Sequence, residues 1–229
     1  MSGKRIGGGF LSLMGGLVLI MVMLLTVIEQ NAFDLDFFQS EYRKLKSTEV
    51  IGISEQALLD TTQELLAYIK GERNDLKIEA VIRGEQRPVF NEREIRHMVD
   101  VQRLYAVGHL LRNGGVVFLF LLLGATRYLT GSRYYRYWAG GYLAGAMIFL
   151  ILLGGMVFAI SRDFLWFWNG FHYIVFTNDL WQLYPETDIL IQMVPEQFFF
   201  DLVLRILSFF TVVMAGLALI SGVIFAKKK

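Results

Sequence analysis

Not one of the 229 residues is a cysteine, and that absence removes several classes of protein at once. No disulfide framework, zinc–thiolate site or thiol nucleophile is available. A lipid anchor on the chain itself is excluded as well, because lipobox, palmitoyl and prenyl attachments all use cysteine. Net charge is almost lacking too, at +1 from 22 Lys and Arg against 21 Asp and Glu. The total therefore gives no basis for nucleic-acid binding. Histidine is scarce, with three in the chain, so each one can be weighed. H-x-x-x-H, H-E-x-x-H and G-x-S-x-G motifs, internal repeats and low-complexity segments are all missing.

Apolar residues are abundant. They make up 55% of the chain, with 14% aromatic, above the roughly 45–50% of soluble domains. Four segments, 9–28, 109–129, 138–160 and 202–226, each match the ~20 residues a spanning helix needs. The first follows a basic Met-Ser-Gly-Lys-Arg start. Its apolar run exceeds the ~7–15 residues of a signal core and no small-x-small cleavage site follows, so it is expected to stay as an anchor.

Charge asymmetry sets the expected orientation. Lys4, Arg5, Arg127, Arg133, Arg136, Lys227, Lys228 and Lys229 fall on one side with no acidic residue. Segment 161–201 carries Arg162 alone against Asp163, Asp179, Glu186, Asp188, Glu196 and Asp201. The positive-inside rule then places both termini and a 130–137 loop in the cytoplasm of a multi-pass plasma-membrane protein. Segments 29–108 and 161–201 are expected outside. The fold class that follows is a membrane all-α protein: a four-helix transmembrane bundle with a small extracellular α+β domain at 29–108 and an aromatic interfacial segment at 161–201. The remaining divisions are a tail and first span at 1–28, spans at 109–129 and 138–160, and a last span with its tail at 202–229.

Within the outer domain, 54–70 reads as an amphipathic helix with Leu58, Leu59, Thr62, Leu65, Leu66 and Ile69 on one stripe and Gly71 as its stop. Alternation over 77–83 and the Gly84-Glu85-Gln86 turn before 87–90 predict a hairpin. Asn91 with Glu94 three residues on is a capping-box arrangement, opening a helix that runs toward the second span. That span has only 114–126 purely apolar, so it must take in Asn113, Arg112 and His109. Arg112 then either faces a bundle interior or snorkels outward. Gly141 and Gly145 form a small-x-x-x-small pair that predicts close helix packing. Segment 164–181 holds Trp166, Phe167, Trp168, Phe171, Tyr173, Phe176 and Trp181 among polar residues. It is too polar to span and too aromatic to sit free in water, which fits the headgroup layer.

His97 lies on the helix after Asn91, with Glu94 and Asp100 three residues to either side. Its plainest reading is a solvated charged face, since Arg93, Arg96 and Arg103 surround it. His172 sits in the aromatic segment, where an unpaired imidazole is costly. If that segment is helical throughout, Asp179 shares its face. His109 reads as an interfacial residue. Two histidines from separate outer segments would make an acid/base pair at the lipid surface, or with Asp100 and Asp179 a zinc site. Spacing does not choose between them. A straight helix from Asn91 would also stand His97 about 18 Å above His109, beyond an interfacial His172.

The run from Asn91-Glu-Arg-Glu-Ile-Arg-His97 through Asp100, together with Phe171-His172-Tyr-Ile-Val-Phe-Thr-Asn178-Asp179-Leu-Trp181 and the stretch from Pro185 and Asp188 to Pro195 and Glu196, resembles the lipoprotein intramolecular transacylase family of Gram-positive bacteria. The resemblance covers nearly the whole chain. It implies an acyltransferase that moves the sn-2 acyl chain of a diacylglyceryl lipoprotein onto the α-amino group of its N-terminal cysteine, leaving a lyso-form lipoprotein. Both reacting groups belong to one substrate, so no acyl-enzyme, metal or other cofactor is called for. Under this reading one of His97 and His172 acts as base and the other as acid, with His172 nearer the ester, and Asp100 and Asp179 orient their rings. Asn178 and Arg112 are candidate oxyanion donors. Trp181 and His109 complete the substrate-binding set, alongside membrane lipids. The competing readings are a non-catalytic assembly or sensor protein that binds a partner through its outer domain, and a metal-dependent hydrolase.

Overall fold

The computed structural model describes residues 2–226, so Lys227, Lys228 and Lys229 of the basic tail lie outside the described residues. The chain is mostly helical, in the order α1 (Ser2–Ala32), α2 (Leu35–Leu45), α3 (Ser47–Ile51), α4 (Glu55–Lys70), β1 (Glu79–Ile82), β2 (Glu85–Pro88), α5 (Glu92–Thr130), α6 (Tyr134–Arg162), α7 (Phe164–Val175), α8 (Ile189–Met193) and α9 (Glu196–Ala226). Three helical runs are long and apolar enough to cross a membrane: Gly3–Ala32, Glu92–Arg162 and Glu196–Ala226. The second is 71 residues long and is interrupted by a 3-10 turn at Gly131–Arg133, where Gly131 takes φ +63°. Two compact units result, one from Met1–Glu29, Gly108–Arg162 and Ile206–Lys229, the other from Gln30–Val107 and Asp163–Arg205.

The first unit is a bundle whose helix directions follow from its contacts. Gly7 of α1 borders Leu129, while Val18, Met21 and Val22 border Gly115, so α5 runs antiparallel to α1. Tyr137, Gly141 and Gly145 meet Gly8, Gly16 and Ile20 in ascending order, so α6 runs parallel to it. Tyr142 donates its hydroxyl to the Met214 carbonyl at 2.8 Å and Phe149 packs edge-on to Phe210, which sets α9 antiparallel to α6. Ile20, Val27, Tyr142, Ala146, Phe210 and Met214 form the core. Leu110, Phe120, Ile151, Val212 and Leu219 instead point outward, each 70% exposed or more. Apolar rows of that extent suit hydrocarbon, where helices satisfy their own backbone polar groups. The expected use of Gly141 and Gly145 is what the packing shows: α1 passes so close that a Cβ on Gly141 would collide with the Ser12 carbonyl.

The second unit is built from local signals and closed by distant ones. Ser54 caps α4 by accepting from Ala57 N at 3.2 Å, and Gly71 ends it in the left-handed region at φ +79°. The hairpin forms, but its turn lies earlier than expected. Arg83 (φ +54°) and Gly84 (φ +88°) are the two loop residues between Ile82 and Glu85. Two successive positive φ values make a primed turn, whose twist matches paired strands. Asn91 Oδ1 accepts from Glu94 N at 3.0 Å while Glu94 accepts from Asn91 N at 2.6 Å, completing the capping box. Phe198 at the start of α9 packs among Phe37, Phe38 and Tyr42 of α2. Ion pairs Lys44–Asp201 and Arg205–Asp34, both at 2.5 Å, flank that contact.

Candidate active site

Helix α5 begins where its capping box says it should, and this fixes which face His97 presents. Glu94, only 1% exposed, does more than cap. Its other carboxylate oxygen accepts from Leu190 N at 2.6 Å, and Asn91 donates its amide to Asp188 at 2.9 Å. Burial raises the Glu94 pKa, and Asp188 adds to the rise against the pull of the backbone N–H groups. Three residues on, His97 is turned inward and buried rather than solvated.

On the other segment Asp163 caps α7 by accepting from Trp166 N at 2.9 Å, and the helix ends at Val175 with Phe176 already extended. His172 is buried in its last turn. The two imidazole centroids stand 6.4 Å apart. The gap expected between His97 and His172 is closed with α5 still one continuous helix, because the outer segment belongs to the same compact unit as His97.

Aromatic rings wall this pair. Trp181 stacks on His172 at 4.7 Å, Trp168 meets it edge-on at 4.9 Å, and Phe176 sits 5.3 Å from His97 and 5.6 Å from His172. Part of the aromatic segment is thus site lining, while Trp166, Tyr173 and Ile174 remain largely exposed. Burial pushes the His97 pKa down to about 4, helped by His172 and Arg93 and opposed by Asp100. Burial also lowers His172, against a bond between its Nδ1 and the Trp168 carbonyl at 2.8 Å. A carbonyl only accepts, so Nδ1 carries the proton and Nε2 of the neutral ring keeps its lone pair.

The carboxylates expected to orient the imidazoles have other partners. Asp100 accepts from the Asn178 amide at 2.8 Å and faces Arg103 at 3.4 Å. Asp179 lies beyond the end of α7, so it shares no helix face with His172. Its carbonyl accepts from Arg93, and its carboxylate is 3.9 Å from the same guanidinium. His109 and Arg112 fall in the first unit. There Arg112 pairs with Glu29 and bonds His109 Nδ1 and Asn113 Oδ1, each at 3.2 Å. Among the described residues no three His, Asp or Glu side chains gather in a way that would hold a metal ion.

Arg93, Trp168 and Phe176 were not singled out as site residues by sequence, nor was the long-range role of Glu94. Arg93 carried one usable signal, its place one turn before His97 on the same face. Trp168 and Phe176 carried a similar one, each four residues from His172, whereas the role of Glu94 depends on Leu190, 96 residues on in the chain.

No curated protein sequence matches the chain. Solved structures do match in fold. One is the in meso structure of the membrane integral lipoprotein intramolecular transacylase Lit from Bacillus cereus, with a TM-score of 0.72, 15% identity, and coverage of 98% of this chain and 94% of that one. A variant of that protein with one histidine replaced by arginine has a TM-score of 0.74, at 15% identity and coverage of 97% and 94%. A further variant, with a histidine replaced by alanine, reaches 0.75 at 15% identity, covering 97% and 96%. The lipoprotein intramolecular transacylase family model matches residues 13–199. Apolar helical runs and that match over most of the chain agree: the protein is a membrane acyltransferase and belongs to the lipoprotein intramolecular transacylase family.

Proposed function

We propose that the chain moves the sn-2 acyl chain of a diacylglyceryl lipoprotein onto the α-amino group of that lipoprotein's N-terminal cysteine, with His97 and His172 handling the protons and no acyl-enzyme formed. The observation that carries this is the buried approach of two imidazoles, 6.4 Å apart, one of which gives its Nδ1 to the Trp168 carbonyl and leaves Nε2 open. Among the described residues neither imidazole is hydrogen-bonded to a Ser, Thr or Tyr hydroxyl. An internal amine supplies the nucleophile, and holding it against the ester contributes up to ~7–11 kcal/mol through proximity.

The proton balance involves two deprotonations and one protonation. The substrate ammonium loses one proton to become a nucleophile and a second once its nitrogen has bonded to the carbonyl carbon. One of these leaves to bulk water and the other ends on the sn-2 oxygen as its bond to carbon breaks. His97 takes the first. His172 Nε2 takes the second and, as imidazolium, returns it to the departing alkoxide. The product is an amide and a free sn-2 hydroxyl, the lyso form.

The same reading counts four spans, on α1, α5, α6 and α9, with both termini cytoplasmic. Arg136 donates to the Phe225 carbonyl, and Gly7 and Gly8 border Leu129, Thr130 and Tyr137, so the basic residues gather at one end of the bundle. The outer domain (29–108) and the aromatic segment (161–201) then work at the outer leaflet, where the lipoprotein and its lipid neighbours lie.

Mass spectrometry of a diacylated N-terminal lipopeptide incubated with the purified protein tests this. Unchanged total mass, with fragments placing one acyl chain on the cysteine nitrogen, is expected. Loss of one acyl mass with free fatty acid appearing would make the protein a hydrolase. Rate against pH gives a separate check. The reacting amine has a reference pKa of ~8, so the rate should fall about tenfold per pH unit below that. Both imidazoles are depressed below 6.5, so they stay in the active neutral form as pH drops through 6.5. The slope is expected to steepen only at lower pH, and a second-order fall beginning above pH 6.5 would contradict the assignment.

A further inference from the structure

Six buried side-chain polar atoms in the described chain have no hydrogen-bond partner, and three of them, Arg93 Nε, His97 Nδ1 and Trp181 Nε1, belong to this one site. A buried donor left unpaired costs on the order of 1–3 kcal/mol. Such a concentration at one place asks for an explanation. Two of the three atoms are N–H groups of donor-only side chains, so what they lack is an acceptor.

Both are held beside the histidine pair. Trp181 is stacked 4.7 Å from His172, with the rings inclined at 28°. Arg93 sits one turn before His97 on α5, and its Nη2 is already committed to the Asp179 carbonyl. Asp179 lies two residues before Trp181, so this bond ties the loop bearing the indole to the helix bearing His97. The donors that sequence favoured are spent. Asn178 gives its amide to Asp100, and Arg112 is paired with Glu29.

We propose that the Trp181 Nε1–H and Arg93 Nε–H groups form the oxyanion hole, donating to the carbonyl oxygen of the sn-2 ester as the cysteine amine adds to its carbon. This rests on the transacylase reading above. Addition forms the N–C bond and moves the carbonyl π pair onto oxygen, where the two N–H groups meet it. Collapse returns the pair, breaks the bond to the sn-2 oxygen and leaves the amide. The indole and guanidinium lose no proton in either step. Unpaired in the free enzyme, they gain their acceptor with the substrate carbonyl and hold it most tightly once charge has built there.

The test uses Trp181→Phe, which keeps the ring on His172, and Arg93→Lys, which keeps the charge and removes the Nε–H. Each is expected to lower kcat by about 10²–10³-fold, a far larger change than in KM, with the shape of the pH profile unchanged. Two lipopeptide analogues then separate ground state from intermediate. In one an anionic phosphonate replaces the sn-2 ester, and in the other an ether does. Wild-type protein should bind the phosphonate more tightly, and both variants should lose most of that preference while binding the ether normally. Variants that keep wild-type kcat, or keep the preference, overturn the proposal. So does a shifted pH profile, which would mean that the substitutions act through the histidines. If wild-type protein transfers acyl chains and needs His172, either failure is confined to the oxyanion hole. If wild-type protein transfers none, the transacylase reading falls with it.

Discussion

His172→Ala is expected to slow acyl transfer by about 10²–10⁴-fold, the range that a positioned general acid or base contributes. His97→Ala should fall in the same range. Both rings are buried, and His172 is oriented by the Trp168 carbonyl, so neither can be replaced by solvent without losing the geometry of the transfer. Single-turnover mass spectrometry of the lipopeptide reads the chemical step directly. The two effects should not add. If the imidazoles pass protons in one sequence, removing the second after the first costs little more, as for residues that act as a unit. A double variant slower by the product of the single losses would mean independent roles, and near-full activity in either single variant would end the paired assignment.

Gly141→Leu is expected to leave no folded bundle. A Cβ at Gly141 would run into the Ser12 carbonyl, and one at Gly16 into the Gly141 carbonyl. Both obstacles are backbone, so no rotamer change relieves them. The helices can only separate, which forfeits the contacts of Ile20, Tyr142 and Ala146 in the core. Gly154 and Gly155 lie on the same helix with open space around them. Alanine there should hold or raise stability, since glycine costs about 0.5–1 kcal/mol in a helix interior relative to alanine. Thermal unfolding in detergent compares the set. A Gly141→Leu protein that melts within a few degrees of wild type would show that close approach of α1 and α6 is dispensable.

Much of the fold was legible because its signals are local. Ser54 and Gly71 bracket α4, and Asn91 with Glu94 opens α5, through contacts within a few residues. Gly141 and Gly145 announced close packing through their spacing alone, though not that α1 was the partner. The hairpin was readable but its turn was misplaced, because Arg83 accepts a positive φ that composition assigns to glycine. The site was harder. Counting along a helix placed Asp100 and Glu94 near His97, but it could not say that Asp100 would be taken by Asn178 across 78 residues. The same counting extended α7 to Asp179, whereas the helix stops at Val175. Arg112 posed a choice between interior and snorkelling. Glu29, which pairs with it, lay at the edge of another span and offered no signal.

The second unit is sewn from two stretches of chain, Gln30–Val107 and Asp163–Arg205, with Gly108–Arg162 of the first unit between them in sequence. Its closing bonds, Asn91–Asp188, Lys44–Asp201 and Asp34–Arg205, bridge 97, 157 and 171 residues. A ribosome delivers the chain from the N-terminus, so the first stretch must wait, incomplete, until nearly nine-tenths of the polypeptide has been made. His97 and His172 meet only at the end of that wait. The approach of the two imidazoles is therefore a late event in the life of the chain, made only when nearly all of it has left the ribosome.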